Sequence, residues 1–369
     1  MKKLGILALV VCLLAVVLSP GLAQAQSELR VIDSSAEADF PASLTFNLSV
    51  DSDVTITDIR LHYVVDLESF AQVTSEVYLE FEPGATVDAE WDWDMRKTGG
   101  LPPGSSVNYW WTVTDAAGNR VETTSMTVSF DDLRYSWRSL TGGEITIYWY
   151  QGDDSFAGEV MAAAQQALAR LTTDTGASLE RPIRIYLYAN TRDLQGAMIN
   201  PQEWTGGAAF TRYDIITIGI GPGNLQWGRR ALAHELTHLV IHQMTLNPYG
   251  GLPTWLNEGL AMYAEGVLSS QFATYLDEAV AENELISVRS LASPFSAYAD
   301  AAILAYAQSY SIIEFLTGDY GQDKMLELLN IFREGSGYDA AFEKAYGFDM
   351  DGLNALWRDY LDEQYHLTQ

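Results

Sequence analysis

The sequence predicts an α+β protein in which an N-terminal β-sandwich precedes a small mixed sheet and a helical lobe. Three observations support this prediction. Residues 26–138 contain short alternating or aromatic-rich runs that are separated by turn sequences. Residues 145–220 mix strand-like with helix-like patterns, and the chain is mainly helix-like from residue 229 onwards. A length of 369 residues is sufficient for two domains.

Residues 1–25 have the pattern of a secretory signal peptide. A basic start at Lys2 is followed by an apolar run, and Ala23 and Ala25 provide an A-x-A cleavage site. Cys12, the single cysteine of the chain, lies inside the apolar run. We therefore expect a secreted or extracytoplasmic protein that has no disulfide bond and no stable membrane insertion after cleavage.

The formal net charge of the chain is −28 at pH 7. Nucleic acid and anionic membrane surfaces would repel such a protein, so we expect neither as a partner. The charge fits a soluble extracellular protein. Structural calcium sites in the acidic loops stay open as an alternative, although the sequence has no EF-hand spacing.

The pattern of residues 26–138 is typical of a β-sandwich with about seven short strands. Residues 109–119 join Tyr-Trp-Trp to Asp-Ala-Ala-Gly-Asn, and this stretch resembles bacterial immunoglobulin- or fibronectin-like modules. We assign the aromatic residues to the core of this module in preference to a carbohydrate-binding surface. The runs that predict strands are 43–50, 59–65, 77–81, 107–113 and 126–130.

Residues 140–369 form the second predicted domain. Its first part predicts a small mixed sheet, and its second part predicts helices. The predicted strands are 145–150, 183–188 and a hairpin of 208–211 with 215–220, and the predicted helices are 156–171, 229–247, 255–266, 301–317, 324–332 and 353–365.

The sequence His234-Glu235-Leu236-Thr237-His238 is an HExxH motif inside a predicted helix. Because His234 and His238 are four residues apart, their imidazoles leave one helix face and can share a tetrahedral ion. Glu235 is rotated by about a third of a turn, which places it to act as a general base without ligating the metal. A core helix with hydrogen-bonded histidines is the alternative interpretation.

Glu258 is the candidate for a third ligand, which must come from another element because one helix cannot surround an ion. A Gly-Gly-Leu-Pro sequence at 250–253 ends the first helix, and Thr254 is the expected N-cap of the second. The neighbours of Glu258, which include Trp255 and Leu260, are apolar. A carboxylate in such surroundings favours a cation as its partner.

The two segments together resemble the gluzincin metallopeptidases, and in particular the peptidase MA-like group that is allied to the M1 aminopeptidases and to thermolysin. The resemblance rests on HELTH at 234–238 and on WLNEGLAMYAE at 255–265, and it covers roughly residues 143–365. It implies a zinc cofactor held by His234, His238 and Glu258, with Glu235 as the catalytic base. It also implies that Glu265 supports a ligand histidine without contacting the metal.

The sequence YAQSYSIIEFL at 306–316 is similar to an M1 helix whose first tyrosine donates to the oxyanion of the tetrahedral intermediate. This similarity implies that Tyr306 is the catalytic donor. Tyr310 lies one helical turn further on and stays open as an alternative, as does a core role for both tyrosines. His242 is left out of the ligand set, because the metzincin pattern would place its third histidine at the position of Met244.

The chain departs from the M1 pattern at the strand whose glutamate holds the free amine of the substrate in those enzymes. The corresponding residues here, 206–210, read Gly-Gly-Ala-Ala-Phe and include no acid. Glu203 is the nearest upstream carboxylate, but its register does not fit. Exopeptidase specificity is therefore not implied. The same segment predicts a sheet edge beside the zinc, to which an extended substrate can add as a strand. A short edge strand that binds nothing stays open as the alternative.

These patterns together predict an exported bacterial zinc metallopeptidase that cleaves a peptide or protein substrate, and we expect an endopeptidase. One alternative is a β-sandwich adhesin or scaffold protein with an inert peptidase-like domain, which the intact HExxH motif and Glu258 argue against. A zinc esterase or amidase is the other alternative, because it would use the same chemistry.

Overall fold

The structure is a computed structural model that describes residues 28–202 and 205–367. The predicted signal peptide with Cys12 lies outside these residues, and so does Glu203. Across the described part of the chain, no helix combines the length and the apolar character that crossing a membrane requires.

The N-terminal region is built from two antiparallel sheets. The first sheet has the order β1-β2-β5, and the second has the order β4-β3-β6-β7 with β8 also paired to β6. In β2 every second side chain is buried, as expected for a strand with one face towards a core. The strands are β1 (Leu29–Asp39), β2 (Ser43–Ser52), β3 (Ile56–Val65), β4 (Ser75–Tyr78), β5 (Thr86–Asp94), β6 (Ser105–Asp115), β7 (Arg120–Glu122) and β8 (Met126–Phe130).

Both of these sheets contribute to one hydrophobic cluster, which includes Phe46 from the first sheet and Trp111 from the second. The same cluster also includes Tyr186, Tyr188 and Leu194, which come later in the chain. The region is therefore β-rich and shares its core with the following part. Its assignment to an immunoglobulin- or fibronectin-like module stays a prediction.

A third sheet has the order β12-β13-β11-β10-β9. Its three central strands are parallel, and the two outer strands, β9 and β12, pair antiparallel with their neighbours. Strand β9 begins at Arg138, the last residue of the predicted sandwich, and belongs to this sheet. The strands are β9 (Arg138–Gly142), β10 (Ile145–Trp149), β11 (Ile183–Tyr188), β12 (Gly207–Phe210) and β13 (Ile215–Gly219).

The helices of the second half pack around another hydrophobic cluster, whose largest members include Trp255 and Trp357. Helix α4 contacts both α3 and α6, so the two segments of the sequence motif lie side by side. The helices are α1 (Asp154–Thr175), α2 (Thr191–Gln195), α3 (Leu225–Thr245), α4 (Thr254–Glu265), α5 (Ser270–Ala281), α6 (Ala299–Asp319), α7 (Gln322–Arg333), α8 (Tyr338–Tyr346) and α9 (Met350–Leu367).

Two details of the predicted helices differ from the structure. Helix α3 begins four residues before the predicted start and includes Gly228. Glycine is favoured at this position because a Cβ atom there would lie 2.6 Å from Ile220. Thr254 is the first residue of α4 and does not cap it; its hydroxyl donates to the carbonyl oxygen of Ala292 at 3.2 Å. Pro253 occupies the cap position. Helices α2, α5 and α8 were not predicted.

Candidate metal centre

Helices α3 and α4 bring two histidines and one glutamate together. His234 and His238 lie on α3, Glu258 lies on α4, and one ligand atom of each lies within 4.8 Å of the others. The Nε2 atoms of both histidines are 3.6 Å from Oε2 of Glu258. Within the described residues, this is the one group of three or more histidine, cysteine or acidic side chains that is close enough to hold a metal ion.

The spacing of these atoms fits a zinc ion. Ligands at about 2.0–2.1 Å from a tetrahedral ion are separated by about 3.3–3.4 Å from one another. The two nitrogen-to-oxygen distances of 3.6 Å are close to this value and longer than a normal hydrogen bond. Two imidazoles and one carboxylate are also a donor set that zinc accepts, with a fourth position left for water or substrate.

The electrostatics of the group also favour a cation. Burial alone would lower the pKa of His234, but the carboxylates of Glu258 and Glu265 outweigh it and raise this pKa well above its usual range. Burial opposes charge on Glu258 as well, yet the two neighbouring imidazoles hold its pKa below the usual value. Positive charge between these side chains is therefore stabilised.

Glu265 fixes the orientation of His234. Oε1 of Glu265 lies 2.9 Å from Nδ1 of His234, on the side of the ring that faces away from Glu258. Its other oxygen is 3.3 Å from Arg230, one helical turn before His234. A carboxylate that accepts from Nδ1 selects the tautomer in which Nε2 is free to ligate.

Glu235 points into the cleft beside the edge strand β12. A Cβ atom at Gly207 would lie 2.9 Å from Oε1 of Glu235, so the glycine makes room for this carboxylate. Burial raises the pKa of Glu235, and the backbone N–H of Ala209 donates a hydrogen bond to it. A buried carboxyl with a raised pKa is suited to accept and return a proton.

The two candidate tyrosines of α6 have different surroundings. Tyr306 is half-buried in the cleft, and the negative charges of Glu258 and Glu235 add to burial in raising its pKa. Tyr310 is 7% exposed, and its hydroxyl lies 3.4 Å from Glu314 of the same helix. Tyr306, and not Tyr310, therefore lines the cavities at the candidate site.

A cleft with a volume of about 810 Å³ lies beside His234 of this group. His234, Glu235 and Tyr306 line it, together with Gly206 and Gly207 at the start of β12. A neighbouring cavity of about 400 Å³ is lined by Glu258 and by Thr211, the residue that follows β12. The edge strand thus runs from one cavity to the other.

His242 lies outside the metal-binding group. Its Nε2 is 3.9 Å from the carboxylate of Glu68, which belongs to the loop after β3 in the N-terminal region. Glu68 also forms an ion pair with Arg181, whose Nε lies 3.1 Å from Asp214. This set of charges connects the N-terminal region to α3 one helical turn beyond His238, and burial lowers the pKa of His242 there.

Sequence reasoning missed two residues that shape the site, Arg230 and Gly259, and it did not show that Gly207 makes room for Glu235. A Cβ atom at Gly259 would lie 2.5 Å from the carbonyl oxygen of Ser309, so α4 and α6 approach each other closely just after Glu258. Glycines beside a motif are a weak signal, since the sequence does not show which backbone will approach them. Arg230 carries a clearer signal, because it lies four residues before the first histidine on the same helix face.

A sequence profile of the Peptidase MA superfamily matches residues 163–363, which is more than half of the chain and includes all residues of the site. The chain belongs to the Peptidase MA superfamily. No curated protein sequence matches this Peptidase MA chain.

Solved structures resemble different parts of this Peptidase MA protein. A mutant M1 zinc metallopeptidase from Deinococcus radiodurans is 14% identical, and the match covers 89% of this chain and 94% of that one at a TM-score of 0.40. Catalytically inactive OgpA from Akkermansia muciniphila, solved with an O-glycopeptide substrate, is 14% identical at a TM-score of 0.22. That match covers 30% of this chain and 31% of OgpA, so it spans about a third of the OgpA chain.

A further match is the β-1,3-glucan-binding domain of carbohydrate-binding module family 56. It is 19% identical at a TM-score of 0.17, and it covers 27% of this chain and 98% of that one.

Proposed function

We propose that this protein is an exported zinc endopeptidase. The observation that carries the proposal is the group of His234, His238 and Glu258, with the carboxylate of Glu235 beside it in the cleft. Membership of the Peptidase MA superfamily supports peptide hydrolysis as the reaction. Export rests on the signal-peptide pattern of residues 1–25.

Each side chain of the site has one role in this proposal. Zinc, when bound by His234, His238 and Glu258, supplies Lewis acidity to the attacking water and to the substrate carbonyl. Glu235 takes a proton from the water at its carboxylate and passes it to the nitrogen of the leaving amine. The hydroxyl of Tyr306 donates a hydrogen bond to the oxyanion that forms on the substrate.

The edge strand supports cleavage within a polypeptide. Strand β12 is the outer strand of the third sheet, and its four residues extend over about 13 Å. A substrate that pairs with β12 would run from the cavity at Gly207 to the cavity at Thr211, and so past the metal site on both sides. Since residues 206–210 offer no acid to hold a free amine, an unblocked N-terminus gains nothing here.

We also propose that the N-terminal region is a β-sandwich of the immunoglobulin- or fibronectin-like kind. Its two antiparallel sheets have a common cluster of buried side chains, as a sandwich requires.

Metal analysis of the wild type and of Glu235→Gln tests the site. We expect one zinc per chain in both proteins, because the substitution removes the base and no ligand. The kcat of Glu235→Gln on a cleaved peptide should fall by about 10²-fold or more. Wild-type activity in this variant, or a wild type that takes up no zinc, would show that the assignment is wrong.

A comparison of N-acetylated peptides with free peptides of the same sequence tests internal cleavage. We expect equal hydrolysis of both forms at internal bonds. Removal of single residues from the free peptides alone would make the protein an aminopeptidase.

A further inference from the structure

A second large cavity adjoins the metal site. It has a volume of about 630 Å³ and lies between the N-terminal end of α6, the segment before it and α5. Tyr306 and Phe272 line both this cavity and the main cleft, and Glu258 also forms part of its wall. The cavity therefore opens directly beside the group that would bind the metal and beside the proposed oxyanion donor.

The walls of this cavity are mainly apolar. Phe272 contributes from α5, Phe295 from the segment before α6, and Ala302 and Ile303 from the first turns of α6. The ring of Phe295 packs edge-on against that of Tyr306, with centroids 5.1 Å apart. Among the described residues that line the cavity, Glu258 alone is charged, and its carboxylate faces the histidines.

The main cleft has a different character. Its lining includes Arg230, Gln226 and Gln271, which present a charge and amide groups to the space above His234. The two cavities meet at Tyr306. An apolar cavity of several hundred cubic ångströms next to a polar cleft is suited to one apolar group of a ligand whose remainder is polar, such as a peptide.

We propose that this apolar cavity binds a large aliphatic or aromatic side chain of the substrate, on a residue that flanks the cleaved bond. The inference rests on the proposed peptidase function. The flanking position follows because Glu258 and Tyr306, which form the wall of the cavity, would hold the metal and the oxyanion. A side chain inside it therefore belongs to a residue next to the reacting carbonyl.

A library of peptides with defined cleavage sites provides the first test. Burial of a leucine or phenylalanine side chain in the cavity should raise kcat/KM about tenfold to a hundredfold over alanine at one position beside the cut. Cleavage sites with no enrichment of large apolar residues at any flanking position would overturn the proposal.

Two neighbouring alanines of α6 offer a matched pair of variants. Ala302→Phe should fill the cavity, so that substrates with leucine or phenylalanine lose about tenfold or more in kcat/KM and substrates with alanine do not. Ala301 is exposed and does not line the cavity, so Ala301→Phe should keep the wild-type preference. The same preference in both variants would contradict the proposal.

Ile303→Ala provides a variant that removes atoms, in case Ala302→Phe does not fold. It should enlarge the cavity and shift the preference towards tryptophan at the same position. Zinc content of every variant should equal that of the wild type, since none of these residues belongs to the metal-binding group.

A binding experiment separates failure of the inference from failure of the proposed function. The probes are two blocked hexaalanine peptides, one of which carries a single leucine, and the protein is the Glu235→Gln variant. We expect about tenfold tighter binding of the leucine peptide, and loss of this difference in Glu235→Gln combined with Ala302→Phe. Equal affinity for the two peptides would overturn the inference. A preference without any cleavage by the wild type would overturn the peptidase function, and of the inference only the binding of an apolar side chain would remain.

Discussion

Helix α4 lies within a hydrophobic cluster whose members all come from residues 171–361. The sheets of the N-terminal region instead share their cluster with Tyr186, Tyr188, Leu194, Ala197 and Ile215 of the following part. The helical lobe thus builds its own core around α4 and the C-terminal part of α3, whereas the N-terminal region completes its core with side chains of its neighbour.

The residues proposed to act in the reaction and the residues of the shared core therefore lie in different parts of the molecule. The candidate metal-binding group and Glu235, the proposed base, lie on helices α3 and α4, with β12 beside them. The N-terminal region contacts the third sheet and reaches α3 through Glu68, without contributing a ligand. Substitutions in the lobe site should therefore change metal binding and turnover, and substitutions in the shared core should change the free energy of unfolding.

Glu258→Ala should have the largest effect, because only two protein ligands would remain. We expect loss of stoichiometric zinc and of activity, measured by metal analysis after dialysis and by peptide hydrolysis. His242→Ala is the matched control on the same side of the site, and it should retain about one zinc per chain. If zinc were lost from His242→Ala and kept by Glu258→Ala, the third ligand would be misassigned.

Leu194→Ala tests the shared core. Leu194 belongs to α2 but is fully buried among side chains of the N-terminal cluster. We expect the free energy of unfolding to fall by about 2–5 kcal/mol in a denaturant titration, with zinc content unchanged below the transition. Leu133→Ala removes a side chain that is 83% exposed, and it should change this free energy by about 0.5 kcal/mol or less.

The shared core also predicts how Leu194→Ala changes proteolysis. The N-terminal region should become more sensitive to protease together with the third sheet. A variant in which only the helical half becomes labile would show that the two parts have separate cores.

Tyr306→Phe should have a smaller effect than Glu258→Ala or Leu194→Ala. Loss of one donor to the oxyanion is expected to lower kcat by about tenfold to a hundredfold, with little change in KM or zinc content. Tyr310→Phe should be nearly neutral, because its hydroxyl faces Glu314. The opposite ranking would move the catalytic role one turn along α6.

The candidate metal-binding group could be predicted from the sequence because its geometry is mostly local. Two histidines four residues apart share a helix face wherever the helix lies, and the Gly-Gly-Leu-Pro break makes Glu258 part of a separate helix. The strand at 183–188 and most helices were predicted for the same reason, whereas the family was predicted from the resemblance of the two motifs.

Features that depend on contacts between residues far apart in the chain could not be predicted from the sequence. Strand β5 was not among the predicted strands. Its buried and exposed residues alternate, but most of the exposed ones are acidic, which is unusual in strands. One of them, Asp92, accepts a hydrogen bond from Thr45 of β2, a contact that the sequence does not show. The boundary of the N-terminal region was placed at a change of pattern. The sequence does not show that Tyr188 and Leu194 continue the core across it.

Gly259 connects the third ligand to the proposed oxyanion donor. Helix α4 can touch the backbone of α6 at Ser309 only because residue 259 has no side chain, and Tyr306 lies three residues before this contact. Any other residue at 259 would move the two helices apart and change the spacing between the proposed ligand carboxylate of Glu258 and the proposed oxyanion donor, the hydroxyl of Tyr306. The absence of a side chain at residue 259 thus affects the distance between Glu258 and Tyr306, although 33 residues separate their two helices in the chain.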